Sequence, residues 1–236
     1  MSELIFVRHG QASFGEESYD KLSDLGVRQA SALGKHWRDM GEQFDHIYAG
    51  TLLRQKETAK QLISLVNGSP SCPNFKDAFN EYNGDSLLRI YMRDYLKHDK
   101  TEAALDWPIK DERVFQNLFE LATAKWIKNE LTPSTEDSDY ESWETFKNRV
   151  YGAIDEIMEK HTSGSKVLIS TSGGVIAMAL QKVLDFSDEH VISINWMIHN
   201  SSVTRVRYGN DKVSLTQFNS LPHLEMKGMK HLITYR

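Results

Sequence analysis

A strand with an apolar centre, a pair of glycines and an almost wholly apolar helix follow one another late in the sequence. The strand is Lys166–Thr171, the glycines are Gly173 and Gly174, and the helical pattern covers residues 175–184. A helix that is apolar on every side must be buried, and a short apolar strand is typical of a parallel sheet covered on both faces. Residues 4–7 form a second apolar run of this kind. Both runs predict strands in the middle of an α/β fold.

Strand and helix patterns alternate through most of the remaining chain, which predicts a three-layer α/β sandwich: a mostly parallel central sheet with helices on both faces. The further elements are a helix over 25–40 capped by Ser23, a strand over 46–49, a helix capped by Thr51, a weak strand over 75–79, and a hairpin of 202–208 and 212–218 around a turn at 209–211. Residues 84–160 are mostly helical and rich in aromatic and charged residues. We interpret them as a helical insertion within a single domain of residues 1–236.

The composition limits the classes of function that the chain can have. Its net charge is −5 over 236 residues, so it offers no basic surface for a nucleic acid or a membrane. A phosphorylated ligand would therefore need a local cationic pocket. The chain has one cysteine, Cys72, in a loop, which excludes an internal disulfide and fits a reducing compartment. No signal peptide and no apolar run of membrane-spanning length is present, and we expect a cytoplasmic protein.

The tripeptide Arg8-His9-Gly10 directly follows the first buried strand. In open α/β sheets, ligands bind at the carboxyl ends of the strands. An arginine and a histidine at that position are costly to bury unless they meet an anion or a partner. The position of the tripeptide therefore favours a functional role.

Several segments in the same order resemble the motifs of the histidine phosphatase (phosphoglycerate mutase-like) superfamily, and only the helical insertion lies outside the resemblance. They are Val7-Arg8-His9-Gly10 with 22–26, Leu52-Leu53-Arg54 with Thr58-Ala59, Phe79-Asn80-Glu81, residues 167–176, and 200–204 with Asn219 and His223-Leu224.

This resemblance implies a role for each matching residue. His9 would be the nucleophile that forms a phosphohistidine, and Arg8 and Arg54 would bind the phosphoryl oxygens through their guanidinium groups. Glu81 would donate a proton to the leaving oxygen, with Asp77 and Asp85 as alternatives. The further candidates for phosphate binding are Gln11, Ser13 and the N–H groups of Gly173 and Gly174, while Gly15 stands near the usual place of an asparagine. The mechanism needs no metal and no cofactor.

The sequence departs from the family at one position. Most relatives have a second histidine in a Ser-His-Gly-Gly turn after the late strand, and this chain has Thr171-Ser172-Gly173-Gly174. A serine can donate a hydrogen bond to a phosphoryl oxygen but adds no positive charge. We therefore expect slow turnover, and we expect Ser172→His to raise it. His199 and His223 are candidates to replace the missing histidine, although a structural role is the stronger interpretation for each.

Three functions remain open. The first is a phosphatase that hydrolyses a phosphomonoester, either a small molecule or a phosphoprotein. The second is a catalytically degenerate protein that binds a phosphorylated ligand or regulates another protein, and the third, ranked below both, is a phosphoglycerate mutase. Arg89, Arg93 and Lys97 could contact a second anionic group or form solvated helix faces. The oligomeric state is left open.

Overall fold

A computed structural model describes residues 1–13, 20–68, 70–95, 111–162, 164–210 and 212–235. The chain divides into two compact units. One unit comprises Met1–Glu81 and Arg149–Arg236, and the other comprises Tyr82–Asn148. Gly15, Lys97 and Asp211, which the sequence analysis singled out or placed in a turn, lie outside the described residues.

The first unit is built on a six-stranded sheet with the order β3-β2-β4-β1-β5-β6. Its strands are β1 (Ser2–Arg8), β2 (His46–Ala49), β3 (Asn74–Phe75), β4 (Lys166–Thr171), β5 (Val203–Gly209) and β6 (Lys212–Ser220). The first four run parallel, and the β5–β6 hairpin completes the sheet in the antiparallel direction. This confirms the predicted mostly parallel α/β fold and the predicted hairpin. The carboxyl ends of β1 and β4 are neighbours, with Arg8 in register with Thr171.

Helices of the first unit lie on both faces of this sheet. Seven α-helices occur in the described parts of the chain: α1 (Asp24–Asp39), α2 (Leu53–Leu62), α3 (Gly84–Tyr95), α4 (Glu112–Ile127), α5 (Trp143–Lys160), α6 (Gly173–Leu184) and α7 (Asp188–Met197). On one face, Leu33 and Trp37 of α1 and Leu62 of α2 pack against Ile5 and Leu168 of the sheet. Helix α6 packs against β1 and β6, and its first nine residues are all buried, as its apolar sequence predicts.

Two glycines let the backbone after β1 lie directly against α1. A Cβ atom on Gly10 would lie 2.3 Å from the carbonyl oxygen of Gly26, and a Cβ on Gly26 would lie 2.2 Å from that of Gln11. Either atom would overlap main chain, which cannot rotate away. These glycines therefore set the close approach of the segment that carries His9 to the start of α1.

The second unit has an aromatic core of its own. Tyr82, Trp126 and Phe146 pack with ring centroids 4.8 to 5.7 Å apart, and Trp143 meets Trp126 edge-on. Burial of large aromatic side chains is the main source of stability in a unit of this size. The sequence predicted helices here, and α3, α4 and the first turns of α5 are found.

The basic residues of α3 are bound by carboxylates of the same unit. The buried carboxylate of Asp137 accepts hydrogen bonds from Arg93 Nη1 at 2.6 Å and Arg89 Nε at 3.3 Å, and the Ser134 amide also donates to it. These donors hold the pKa of Asp137 well below its usual value. The expectation of a solvated helix position agrees with Arg89, whose side chain is 47% exposed, although an ion-pair network of the same unit engages both arginines.

Two local predictions differ from the structure, and one helix was not predicted. Thr51 does not cap α2, whose cap is Leu52, because the side chains of Asn80 and Asp20 accept the N–H groups at this helix start instead. The expected strand over 75–79 is the two-residue β3 followed by a 3₁₀ turn over Asp77–Phe79. Helix α7 was not anticipated.

Two other features concern the surface of the molecule. Cys72 lies in an exposed loop, as expected. None of the helices in the described ranges combines the length and apolar character needed to span a membrane.

Candidate active site

His9 is held through its backbone at the carboxyl ends of two neighbouring parallel strands. Its N–H donates to the carbonyl of Thr171 at 2.8 Å, which joins the end of β1 to the end of β4. Its carbonyl accepts the Ser201 N–H at 3.3 Å and the Asn200 side-chain amide at 3.2 Å. Main-chain bonds on both sides leave the imidazole with little positional freedom.

The imidazole of His9 is buried and has a defined tautomer. Its Nδ1 lies 2.7 Å from the carbonyl oxygen of Gly10, which can only accept, so Nδ1 carries the proton. On the other side, Arg54 Nε donates to Nε2 at 3.2 Å. Burial, followed by the positive charges of Arg54 and Arg8, holds the pKa of His9 well below 6.5. The ring is therefore neutral at pH 7, with its lone pair on Nε2, and a neutral imidazole nitrogen can attack phosphorus.

Arg54 stands in the first turn of α2 between His9 and an acidic side chain. Its Nη1 forms a salt bridge with Asp20 Oδ1 at 2.5 Å, and Asp20 Oδ2 accepts the Leu53 N–H at 2.7 Å. The Arg54 side chain is 12% exposed and the Asp20 side chain is 39% exposed. The sequence analysis missed Asp20, which both caps α2 and orients the guanidinium group.

Arg8 is the last residue of β1 and directly precedes His9. Its Nη1 donates to the carbonyl of Ile198, and its positive charge contributes to the lowered pKa of His9. Both guanidinium groups therefore lower the pKa of the same imidazole, and their binding of phosphoryl oxygens stays a prediction.

The turn after β4 brings Ser172 and Glu81 to this end of the sheet. Ser172 is buried immediately before α6, and its Oγ accepts a hydrogen bond from Gln55 Nε2 at 2.8 Å. Glu81 Oε2 accepts the N–H of Gly174 at 3.0 Å. Gln55 is the residue after Arg54, so one turn of α2 contacts both His9 and Ser172. Sequence reasoning gave no signal for Gln55.

The segment before Glu81 is fixed from two sides. Arg149 Nη1 donates to the carbonyls of Ala78 and Asn80 at 2.8 and 2.9 Å. The side chain of Asn80 in turn accepts the N–H groups of Thr51 and Leu52 at the start of α2. The two alternatives to Glu81 as the proton donor are both exposed: Asp77 lies in the 3₁₀ turn and Asp85 lies on α3.

The other predicted phosphate contacts lie in the segment after His9. Gln11 accepts a hydrogen bond on its side-chain oxygen from Ser23, and its backbone N–H donates to Gln29. Ser13 is buried and bonds through its backbone to Lys21. The N–H of Gly174 is engaged by Glu81, whereas none of the described residues accepts the N–H of Gly173.

Neither of the two histidines considered as replacements for a second catalytic histidine contacts His9. His223 is buried against Ser201, with its Nε2 2.8 Å from the serine Oγ, and burial lowers its pKa to about 3. His199 bonds to Asn219 and stacks on Tyr235 with ring centroids 4.2 Å apart. Both have structural partners.

The fold and this cluster define an α/β protein that presents a neutral histidine and two arginines at the carboxyl ends of parallel strands. The model of the histidine phosphatase superfamily (branch 1) matches residues 4–114 and 105–221. The chain therefore belongs to the histidine phosphatase superfamily.

Individual relatives include both mutases and phosphatases. The 2,3-bisphosphoglycerate-dependent phosphoglycerate mutase of Borreliella afzelii is 29% identical over 224 residues, which cover 83% of each chain. That of Allorhizobium ampelinum is 23% identical over 199 residues, covering 81% of this chain and 84% of the relative. Among solved structures, phosphoserine phosphatase from Entamoeba histolytica in complex with 3-phosphoglyceric acid has a TM-score of 0.64 at 17% identity, covering 95% of this chain and 100% of that one.

Proposed function

We propose that this protein is a phosphatase that hydrolyses a phosphomonoester through a phosphohistidine on His9. The observation that carries the proposal is the pair of contacts on the His9 ring: Nδ1 to the Gly10 carbonyl and Nε2 to Arg54. They leave a neutral nucleophilic nitrogen beside a guanidinium group that can bind the oxygens of the phosphoryl group under attack. Phosphoryl transfer depends mainly on such positioning and charge stabilisation.

The reaction follows in two balanced steps. His9 Nε2 forms a bond to phosphorus while the bond from phosphorus to the ester oxygen breaks, and Glu81 supplies the proton that turns the departing oxygen into an alcohol. Water then attacks the phosphohistidine with Glu81 accepting its proton, which releases inorganic phosphate and restores neutral His9. Arg8 and Arg54 hold the phosphoryl oxygens in both steps, and Gln11, Ser13 and the N–H of Gly173 are further donors to them.

Ser172 is the residue that separates this chain from most of its family. We infer that it occupies the place of the second histidine in the Ser-His-Gly-Gly turn of relatives. Exchanging a charged donor for a neutral hydroxyl costs about 1–3 kcal/mol in the transition state, or roughly ten- to a hundredfold in rate. The N–H groups at the start of α6 still attract an anion, so binding of phosphate is retained better than turnover.

Two alternatives are each favoured by one observation. Ser172 adds no positive charge to the site, which favours a ligand-binding or regulatory protein that holds a phosphorylated ligand without turning it over. The 23–29% identity to mutases favours a phosphoglycerate mutase. Retention of the phosphoryl group for return to the substrate demands more of the site than hydrolysis does, and the absence of a second histidine weighs against it.

A product analysis distinguishes these functions. The purified protein is incubated with p-nitrophenyl phosphate, and separately with 3-phosphoglycerate and 2,3-bisphosphoglycerate, with a His9 variant as background. We expect release of inorganic phosphate and an acid-labile phosphoenzyme from the first incubation, and no net formation of 2-phosphoglycerate from the second. Interconversion of the phosphoglycerates would identify a mutase, and phosphate binding without either product would identify the degenerate protein.

The role of Ser172 can be tested by restoring the histidine together with the room that it needs. Because Gln55 Nε2 lies 2.8 Å from Ser172 Oγ, an imidazole at position 172 requires a smaller residue at position 55. We expect Ser172→His with Gln55→Ala to raise kcat about ten- to a hundredfold over Ser172→Ala with Gln55→Ala, which has the same room and no donor. Equal kcat values for the two double variants would remove position 172 from the phosphate site.

A further inference from the structure

Gln55 is a buried side-chain amide that joins three segments of the candidate active site. Its Nε2 donates to Ser172 Oγ at 2.8 Å and to the carbonyl of Phe79 at 2.9 Å. Its own helix begins two residues earlier, and its neighbour Arg54 contacts His9. A buried amide with both N–H groups bonded is well suited to fixing the orientation of its partners.

The orientation of this amide is determined by groups that can play only one role. The Phe79 carbonyl can only accept a hydrogen bond, so it must face the NH₂ end of Gln55. At the other end, the N–H of Leu52 can only donate, and it faces Oε1 at 3.4 Å. Gln55 is therefore the donor toward Ser172, and Ser172 Oγ is the acceptor.

The space for Gln55 is provided by a glycine on the neighbouring loop. A Cβ atom on Gly50 would lie 1.9 Å from Gln55 Oε1, so any other residue at position 50 would force the Gln55 amide to move. Gly50 directly follows β2 and donates its N–H to the carbonyl of Ser170 on β4. The backbone around Gln55 is thus shaped to hold an extended amide at this point.

Because Ser172 Oγ accepts from Gln55, the hydroxyl proton must point away from Gln55. None of the described residues accepts this proton. Ser172 follows β4 at the level where His9 follows β1, since Arg8 is in register with Thr171 and the His9 N–H bonds to the Thr171 carbonyl. A phosphoryl group on His9 would therefore lie at the same end of the sheet as Ser172.

We infer that Gln55 is a positioning residue, which directs the hydroxyl proton of Ser172 toward an oxygen of the phosphoryl group bound at His9. This inference rests on the proposed phosphatase function and specifies how a serine can contribute at this position. Without Gln55 the hydroxyl could rotate, and its proton would point away from the phosphoryl oxygen for part of the time. With Gln55 in place, Ser172 directs its O–H group toward the anion. Donation of a hydrogen bond is the one contribution of a second histidine that a neutral side chain can reproduce.

A double-mutant cycle on the full-length protein tests the inference. Gln55→Met keeps an unbranched side chain of similar length and removes both amide N–H groups, and it is combined with Ser172→Ala. With p-nitrophenyl phosphate as substrate, we expect Gln55→Met to lower kcat about tenfold in the wild-type background and less than about twofold in the Ser172→Ala background. KM should change little, and inhibition by vanadate should weaken in parallel with kcat.

The controls separate positioning from a loss of structure. Gln181 is also a buried glutamine with bonded N–H groups, on α6, so Gln181→Met should cost similar thermal stability and leave kcat unchanged. Equal effects of Gln55→Met in the two backgrounds, or no effect on kcat, would overturn the inference. Should Gln55→Met not fold, Gln55→Asn, whose amide is one methylene too short to reach Ser172, is put through the same cycle. A wild-type protein without phosphatase activity would instead contradict the proposed function.

Discussion

Replacing His9 with alanine is expected to lower kcat/KM for a phosphomonoester at least about a thousandfold, because the variant has no nucleophile to form the phosphoenzyme. The His9 ring is neutral and buried, and its Nε2 is held beside Arg54. A water molecule attacking phosphorus directly would lack this fixed geometry. The measurement is steady-state hydrolysis of p-nitrophenyl phosphate, together with trapping of the phosphoenzyme by denaturation at alkaline pH, where a phosphohistidine survives.

The matched control is His190→Ala, which removes an exposed imidazole on α7 and should leave both measurements unchanged. Circular dichroism and thermal unfolding should show that both variants fold. If the His9→Ala variant keeps more than about a tenth of the wild-type kcat/KM, a different nucleophile carries the reaction.

Arg54→Met is expected to lower kcat/KM by about 10²–10³, the range typical for loss of one preorganised donor to a developing charge. Methionine keeps a similar length and removes the guanidinium group. The loss should appear mainly in kcat, because charge builds up on the phosphoryl oxygens during transfer. Arg28→Met, at an exposed position on α1, is the control and should retain wild-type kinetics. A loss of less than about threefold would exclude Arg54 from transition-state stabilisation.

The same substitution is expected to change the pH dependence. The charge of Arg54 lowers the pKa of His9, so its removal must raise that pKa toward 6.5, while burial and Arg8 still hold it lower. Since His9 reacts in its neutral form in the proposed mechanism, kcat/KM is expected to fall as pH drops through this pKa. The acidic limb of the kcat/KM profile should therefore move to higher pH in Arg54→Met. A limb that stays at the wild-type position with the same substrate would contradict the assignment of the limb to His9.

The sheet could be predicted from the sequence because its central strands are buried on both faces. The runs at residues 4–7 and 166–171 have no polar residue to place outward until the strand ends, and both became neighbouring parallel strands. The hairpin of β5 and β6 was marked by alternation around a turn with Gly209 and Asn210. These patterns involve residues that are close together in the sequence, so they can be recognised without the structure.

The incorrect or missing predictions concern local structure that depends on residues distant in the sequence. Thr51 was predicted to cap α2 from residue type alone, but Asp20 and Asn80 accept the N–H groups at that helix start from other parts of the chain. Helix α7 has apolar residues without a clear one-sided pattern, which hides it from a search for helical periodicity.

The residues of the candidate site also fall into two groups, those that sequence motifs pointed to and those that the sequence analysis missed. The motifs singled out His9 and Arg54, which the structure brings into contact, and they singled out Ser172 as a departure from the family, which stays a prediction. The supporting side chains, Asp20 and Gln55, were missed. The roles of a buried glutamine and of an aspartate near a loop cannot be predicted from a single sequence. They depend on contacts with residues that are far away along the chain.

The carbonyl of His9 is held by Asn200 and Ser201, near the other end of the chain. During translation the Arg-His-Gly segment leaves the ribosome before Asn200 and Ser201, which hold it in the folded protein. A chain that stops short of residue 200 therefore carries the Arg-His-Gly motif without these two anchors. Such a fragment should lack the proposed phosphatase activity.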